Sequence, residues 1–222
     1  MNYTLAGYVS KIFGSFLAKK PSQVLAFLLE EQRFAKLLNH IESRSVTELV
    51  VKLLTHESTE LLEERKKAFD AMLEKSSQKE EVYTVSNLSA SICEIIEKVA
   101  GALKGNSNES ASELSSIYFK PEIITKVITN VMSDEENTSV YNAPILLTYL
   151  TNVPLILPEN DQLVGDLKTL LQSFLNKALE KLKVNRNSRR TLGFGRVKIV
   201  EIMSYVLKQN ILSCQDLAAN EA

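Results

Sequence analysis

The first quarter of the chain, from Leu5 to Thr55, places one apolar stripe after another with very little sequence between them. Apolar residues that recur at spacings of three and four fall on one face of an α-helix. Four such stripes occur here, and they begin at Leu5, Val24, Phe34 and Val46. Connections this short force consecutive helices to pack side by side. The stretch therefore predicts a stack of short helices, an arrangement that offers long surfaces to other proteins.

The remainder of the chain continues this helical pattern. Glycine and proline number only 7 and 5 among 222 residues, less than half of the ~12% usual in soluble proteins. A turn-rich β fold is thus disfavoured, and we expect an all-α fold with roughly nine or ten helices and no strand. The longest helix is predicted from about Glu159 to Val184. Pro144 is expected near the start of a helix spanning Val140 to Asn152, because a proline deeper inside would remove a backbone hydrogen bond.

One segment interrupts the helical pattern. Residues 105–116 read Gly-Asn-Ser-Asn-Glu-Ser-Ala-Ser-Glu-Leu-Ser-Ser, a composition typical of flexible connections. We therefore expect a single helical-repeat domain over residues 1–222. Within it, a mobile loop at about 104–117 separates an N-terminal stack (1–103) from a C-terminal stack (118–222).

Several features disfavour whole classes of protein. The longest apolar runs, such as Val153 to Leu157, fall far short of the ~20 residues that span a bilayer, so no membrane span is expected. The first helix is amphipathic and includes Lys11, unlike a secretory signal, which indicates a cytoplasmic or nuclear protein. Cys93 and Cys214 lie far apart among apolar neighbours, so buried free thiols explain them better than a metal or redox site.

Residues that could support catalysis are sparse. His40 and His56 are the only histidines, and neither has a cysteine, histidine or aspartate at metal-ligand spacing. Residues 101–107 lack the lysine position and the preceding strand of a phosphate-binding loop, and residues 193–195 lack the third glycine of a dinucleotide fingerprint. Two acidic pairs are best explained as solvated: Glu63–Glu64 and Glu135–Glu136. We therefore expect no enzyme, no metal and no cofactor.

One stretch carries a strong excess of positive charge. Between Asn176 and Lys198 there are eight basic residues and one acid, a net charge of +7 that leaves −8 for the rest of the chain. Such an asymmetry favours an acidic or phosphorylated protein partner, although a solvated loop without a partner explains it equally well. Nucleic acid is not expected, because the whole chain has a net charge of −1 and a pI near 6.2. The candidate residues for an acidic partner are Arg186, Arg189, Arg190, Arg196 and Lys198.

Three blocks of the chain, taken in order, resemble one protein family. The first extends from Leu5-Ala-Gly-Tyr through Glu48-Leu-Val-Val-Lys-Leu-Leu-Thr55. The second is Asn87-Leu-Ser-Ala-Ser-Ile-Cys-Glu-Ile-Ile96, and the third begins at Leu192-Gly-Phe-Gly-Arg196 and continues to Met203. The series is similar to the SAPS region of regulatory subunits that associate with protein phosphatase 6-type catalytic subunits. Family members are considerably longer, so the chain resembles a fragment or a shortened relative.

This resemblance implies both a fold and a function. The implied fold is an α-helical solenoid of the armadillo or HEAT kind. The implied function is that of a non-catalytic regulatory or scaffold subunit, which binds a serine/threonine phosphatase catalytic subunit and directs its substrate choice. The alternative is a generic helical-repeat adaptor in complex assembly or transport, without phosphatase binding. Since the family's helical region begins before the first block, the helix from Leu5 to Leu17 is expected to leave part of its apolar stripe exposed.

Overall fold

All regular structure in the chain is helical wherever the structure describes it. The computed structural model describes residues 3–78, 81–105, 109–133, 136–156, 162–183 and 194–208. These ranges contain eleven helices and no strand, which confirms the all-α prediction. None of the described helices is both long and apolar enough to cross a membrane. The helices form two compact units, residues 1–119 and residues 120–222. The armadillo or HEAT arrangement and the single-domain organisation stay predictions.

Seven of the described helices lie in the first unit. Short turns join the first four, as the closely spaced apolar stripes predict. The helices are Tyr3–Lys19 (α1), Pro21–Leu28 (α2), Glu31–Leu38 (α3), Arg44–Leu54 (α4), Leu62–Ser76 (α5), Val82–Gly105 (α6) and Glu109–Tyr118 (α7).

Helix α4 lies at the centre of the first unit, in contact with α1, α5 and α6. Its six apolar side chains, from Val46 to Leu54, occupy more than one face, and all are at most 2% exposed. Helix α2 begins at Pro21, where the proline ring is tolerated because the N–H groups of a first turn have no intrahelical partner. Helix α1 is thereby held on one side by α4 and at its C-terminal end by α2.

Side-chain hydrogen bonds tie the later helices of this unit to the earlier ones. The Asn87 side-chain amide on α6 donates to the carbonyl oxygens of Ile41, at 3.1 Å, and Glu42, at 3.2 Å, in the turn before α4. The Tyr118 hydroxyl at the end of α7 donates to the Leu54 carbonyl oxygen at 2.8 Å. Each bond satisfies backbone oxygens that a turn or a helix end leaves without an intrahelical partner.

The structure differs from the predicted mobile loop at about 104–117. Helix α6 continues to Gly105, and α7 occupies Glu109–Tyr118, with residues 106–108 outside the described ranges. Helix α7 packs against α5 and α6. Its buried side chains recur at helical spacing: Ala111, Leu114, Ile117 and Tyr118. The many serines around them give the segment the composition of a loop. The apolar residues, however, recur at the spacing of a helix, and the segment is helical.

The second unit contains four of the described helices. They are Pro121–Val131 (α8), Glu136–Ile156 (α9), Gln162–Lys183 (α10) and Phe194–Lys208 (α11). Helix α9 packs against α8 and α11, and α10 contacts the same two helices. The fully buried side chains of this unit include Ile145, Leu146, Tyr149, Phe174 and Leu175.

Two boundaries in this part of the chain differ from prediction. Helix α9 begins at Glu136, earlier than expected, so Pro144 lies inside the helix rather than near its start. Its neighbours Ala143 and Ile145 are fully buried, and such burial offsets the hydrogen bond that the proline removes. Among the described helices α6, with 24 residues, is longer than α10, with 22, although α10 occupies the segment predicted as the longest.

Candidate functional site

A line of apolar side chains on α1 faces solvent. The four members recur at helical spacing, so they form one continuous line along the helix. We call them the apolar ridge; each is between 52% and 62% exposed: Leu5, Tyr8, Ile12 and Phe16. Their exposure confirms the expectation that part of this stripe is uncovered. The other side of α1 is anchored in the unit by Ala6 and Leu17, both buried.

A hollow of about 420 Å³ lies beside the ridge, between α1 and α2. Phe13 and Phe27 stack in it, with ring centroids 6.0 Å apart and planes inclined by 18°. The buried Val24 lies between them in sequence and also lines the hollow. We call this feature the aromatic hollow; it is lined by Phe13, Phe16, Lys20, Gln23, Val24 and Phe27.

An arginine from α3 completes one edge of the aromatic hollow. The Arg33 guanidinium carbon lies 4.1 Å from the centre of the Phe27 ring, a distance at which the cation attracts the aromatic face. The guanidinium also donates to the Phe27 carbonyl oxygen at 3.3 Å and pairs with the Glu30 carboxylate at 3.4 Å. Phe27 is therefore held in place although it is 46% exposed.

The charged residues of α1, of α2 and of the one position between them are all lysines. The first acidic residue of the chain is Glu30, so α1 and α2 contain none. Lys11 follows Tyr8 by three residues, and Lys19 and Lys20 follow Phe16 by three and four, so all three lie beside the ridge on the helix surface. All three lysines are exposed. The ridge and hollow thus combine exposed apolar surface with positive charge.

A larger groove lies between α3 and α5, with a volume of about 590 Å³. Charges of both signs surround it. Glu31 and Glu64 line it together with Lys67 and Lys75, and Asp70, which also lines it, pairs with Lys66 at 3.1 Å. A surface that mixes charges of both signs specifies no particular partner.

The residues predicted to hold an acidic partner lie in and around α11. Arg186, Arg189 and Arg190 fall outside the described residues. Arg196 and Lys198 lie in the first turns of α11, where the Lys198 ammonium is 2.7 Å from the Glu201 carboxylate. Glu201 therefore neutralises part of this charge locally. The role of the five basic residues stays a prediction.

The two histidines lie in the turns that follow α3 and α4. His40 is 3.8 Å from the Glu42 carboxylate, whereas His56 accepts a hydrogen bond from the Ser58 backbone N–H at 3.1 Å through Nδ1. Within the described residues there is no group of three or more metal-ligating side chains. Cys93 is half-buried rather than fully buried; Cys214 lies outside the described residues.

Partial burial lowers the pKa of His56 below its ordinary value, and the nearby Arg65 charge lowers it further, against an opposing effect of Glu57. The folded protein therefore binds a proton at His56 more weakly than the unfolded chain does. By linkage, the stability that His56 contributes is present above about pH 6.5, the ordinary pKa that it keeps in the unfolded chain, and is lost as the pH falls from that value through the lower pKa of the folded state.

We therefore expect the midpoint temperature of unfolding to fall as the pH is lowered from about 7.5 to about 5.5, and to fall less in His56→Asn. Asparagine keeps an acceptor for the Ser58 N–H but takes up no proton. The measurement is thermal unfolding followed by circular dichroism across this range for both proteins. Parallel curves for the two proteins would contradict the assignment of this pH dependence to His56.

The spacing of apolar residues indicates the ridge but not the hollow, and it gives no sign of one buried charge. No motif marks Phe27 as part of a site, and the one signal of the region in the sequence is the absence of acidic residues before Glu30. Arg65, in a stretch rich in glutamate and lysine, is fully buried. No pattern in the sequence distinguishes it from its exposed neighbours.

Comparison with known proteins identifies relatives of the chain. The family described as SIT4 phosphatase-associated protein (SAPS) matches residues 13–154. Serine/threonine-protein phosphatase 6 regulatory subunit 3-A of Xenopus laevis is 29% identical over 161 residues, which cover 68% of this chain and 19% of that protein. The Gallus gallus regulatory subunit 3 is 30% identical over 163 residues, 68% of this chain and 18% of that protein.

A relative of a second type matches more of the chain. Serine/threonine-protein phosphatase 6 regulatory subunit 1 of Mus musculus is 26% identical over 202 residues, 82% of this chain and 23% of that protein. The chain thus spans about a fifth of the length of the curated relatives it matches. No solved structure matches it significantly.

Proposed function

Because the chain belongs to the SAPS family, we propose that it is a non-catalytic regulatory subunit for a serine/threonine protein phosphatase of the phosphatase 6 type. It binds the catalytic subunit and directs its choice of substrates. The observation that carries this proposal is the family match over residues 13–154. Relatives named as phosphatase 6 regulatory subunits support it.

The physical basis of this function is recruitment. Helices joined by short turns give a protein extended surfaces on which two partners can bind together. A substrate held beside the phosphatase meets it at a raised effective concentration, which increases turnover without any new catalytic group. An acidic or phosphorylated substrate segment bound by the basic residues around Arg196 is one such case, and it remains part of the proposal.

The chain is expected to bind the phosphatase 6-type catalytic subunit at physiological ionic strength. Tagged chain is mixed with the purified catalytic subunit, recovered on resin and probed for it. Because recruitment leaves the chemistry unchanged, the chain alone is expected to release no phosphate from p-nitrophenyl phosphate, and its addition should leave the catalytic subunit's rate on this small ester unaltered. The rate on a recruited phosphoprotein should rise.

The matched control is an unrelated helical protein with the same tag, which should recover no phosphatase. Failure of the chain to recover the catalytic subunit would remove the central claim. Recovery of a partner of another class in its place, from a complete cell extract, would favour the generic adaptor.

A further inference from the structure

The first turn of α6 presents a tyrosine to solvent. Tyr83 is 77% exposed, more than any other large apolar or aromatic side chain that the structure describes. Helix α6 itself is well enclosed, because it packs against α4, α5 and α7. Its first turn nonetheless stays uncovered, and Val82 is exposed there as well. The Tyr83 hydroxyl is therefore accessible to a second protein.

The surroundings of Tyr83 in the sequence differ from those of the other tyrosines. Two glutamates, at positions 80 and 81, precede it by three and two residues. Tyr3 and Tyr8 are also exposed, but α1 contains no acid. The remaining tyrosines are buried or half-buried: Tyr118, Tyr141, Tyr149 and Tyr205. Among the 7 tyrosines of the chain, Tyr83 alone combines high exposure with acidic residues directly before it.

The backbone around Tyr83 can leave the helix without disturbing the packing of α6. A kinase must place the acceptor oxygen in line with the γ-phosphate of ATP, so the residues beside it have to be lifted out of the helix. The first buried side chain of α6 is Val85, which is 1% exposed, and the hydrogen bonds of Asn87 to the turn before α4 lie further along. Residues 82–84 precede both anchors, and the N–H groups of a first turn have no intrahelical partner. Opening this turn therefore breaks few interactions.

We propose that Tyr83 is a phosphorylation site for a protein tyrosine kinase whose substrate groove is basic. In the reaction, the tyrosine oxygen attacks the γ-phosphorus of ATP and the bond from that phosphorus to the bridging oxygen breaks. ADP leaves, and the phenolic proton passes to the carboxylate base of the kinase. Glu80 and Glu81 give the segment charge complementarity to a basic groove. This site is proposed in addition to phosphatase regulation and does not depend on it.

The phosphoryl group changes the surface of the chain rather than its fold. It adds a charge of about −1.5 to −2 at neutral pH, on a side chain that contributes little packing. Together with Glu80 and Glu81, it makes the start of α6 strongly acidic. Its oxygens accept charge-assisted hydrogen bonds from arginines, which line the pockets that recognise phosphorylated residues. The modified chain thus keeps its fold and gains a surface for such a pocket.

The test is phosphorylation of the whole chain by purified tyrosine kinase domains that select acidic residues before the tyrosine in peptide libraries. With Mg²⁺ and ATP, we expect one phosphoryl group per chain by intact mass, assigned to Tyr83 by fragmentation. Tyr83→Phe should abolish the reaction. The matched control, Tyr3→Phe with Tyr8→Phe, removes two other exposed tyrosines and should leave it unchanged. An unreactive chain, or a reaction that survives Tyr83→Phe, overturns the proposal.

A charge neutralisation tests the part played by the two glutamates. Glu80→Gln with Glu81→Gln should lower kcat/KM for the chain about tenfold. The matched control, Glu94→Gln with Glu97→Gln, removes two acids from the middle of α6 and should leave kcat/KM unchanged. Equal values for the two double variants overturn the assignment of a basic substrate groove.

A free peptide of residues 76–90 shows whether the folded chain presents Tyr83 to the kinase. The kcat/KM of the chain should lie within about tenfold of that of the peptide, because the first turn of α6 opens at low cost. A chain that reacts more slowly than this keeps the turn closed, which overturns the proposal.

The modification is also expected in the cells from which the chain comes. The chain is recovered from cells treated with vanadate, which inhibits tyrosine phosphatases, and the peptide that contains Tyr83 is analysed by mass spectrometry. Phosphotyrosine at Tyr83 supports the proposal. Detection of this peptide in its unmodified form alone overturns it.

Discussion

Replacing Tyr118 with alanine should lower the free energy of unfolding of the chain by about 4 kcal/mol. Tyr118 is fully buried at the end of α7. Its ring packs against Phe69 of α5, with centroids 4.6 Å apart, and its hydroxyl donates to the carbonyl oxygen of Leu54 at 2.8 Å. Alanine removes the ring contacts, leaves a cavity between three helices and deprives a buried carbonyl oxygen of its donor.

The milder change Tyr118→Phe separates the ring from the hydroxyl. Burial raises the pKa of Tyr118, so the phenol stays neutral and acts as a hydrogen-bond donor. Loss of that donor alone should cost about 1–2 kcal/mol. Urea unfolding followed by circular dichroism gives both values, and hydrogen exchange of α4 to α7 shows where stability is lost.

The matched control is Tyr83→Ala, because Tyr83 is 77% exposed on α6 of the same unit. Its effect should stay within about 0.5 kcal/mol. If Tyr118→Ala were as mild as this control, residues 109–118 would behave as the loop that their composition suggests, and the packing of α7 would be contradicted.

The sequence predicts the helices of the first unit well where apolar stripes are long and the turns between them are short. Helix α4 illustrates this, since Val46, Leu49, Val50 and Leu53 are spaced as a helix requires and all are buried. Helix α7 is the exception, because the serines that dominate its composition are typical of a loop. The spacing of Ala111, Leu114 and Ile117 held the correct signal, which a rule based on composition overlooks.

The apolar ridge and the aromatic hollow are predictable from the sequence only in part. Periodicity identifies the stripe on α1, but burial depends on which neighbours reach it, and that is a property of the tertiary packing. The stacking of Phe13 on Phe27 and the position of Arg33 over the Phe27 ring join residues of three helices. Such contacts cannot be read from the spacing within any one of them.

The second large effect concerns Arg65, for which Met and Ala should differ by about 3 kcal/mol in the free energy of unfolding. Arg65 on α5 is fully buried. One terminal nitrogen, Nη1, donates to the His56 carbonyl oxygen at 2.8 Å. Its Nε and Nη2 have no hydrogen-bond partner in the described part of the chain. Burial lowers the pKa of Arg65 because an apolar environment disfavours the charged guanidinium, although the nearby Tyr118 and Glu60 act in the opposite direction.

Methionine fills much of the same volume without a charge or unsatisfied N–H groups. Since replacing a poorly compensated buried charge by an apolar side chain is often stabilising, Arg65→Met should raise the free energy of unfolding by about 1–2 kcal/mol. The free energy of unfolding of Arg65→Ala should be lower than that of Arg65→Met, because alanine also removes the packing of the aliphatic stem and leaves a cavity.

An exposed arginine provides the control for this comparison. The Arg44 side chain is 92% exposed and pairs with Glu48 at 3.1 Å, so Arg44→Met should change stability by less than about 1 kcal/mol. Urea unfolding of the three variants and the wild type, at one pH and ionic strength, gives the comparison. If Arg65→Met unfolds more easily than the wild type, the surroundings stabilise the Arg65 charge better than the unpaired Nε and Nη2 indicate. Its charge would then help to hold the turn at His56 against α5. Helix α7 binds the end of α4 just before this turn, through the hydrogen bond from Tyr118 to the Leu54 carbonyl oxygen.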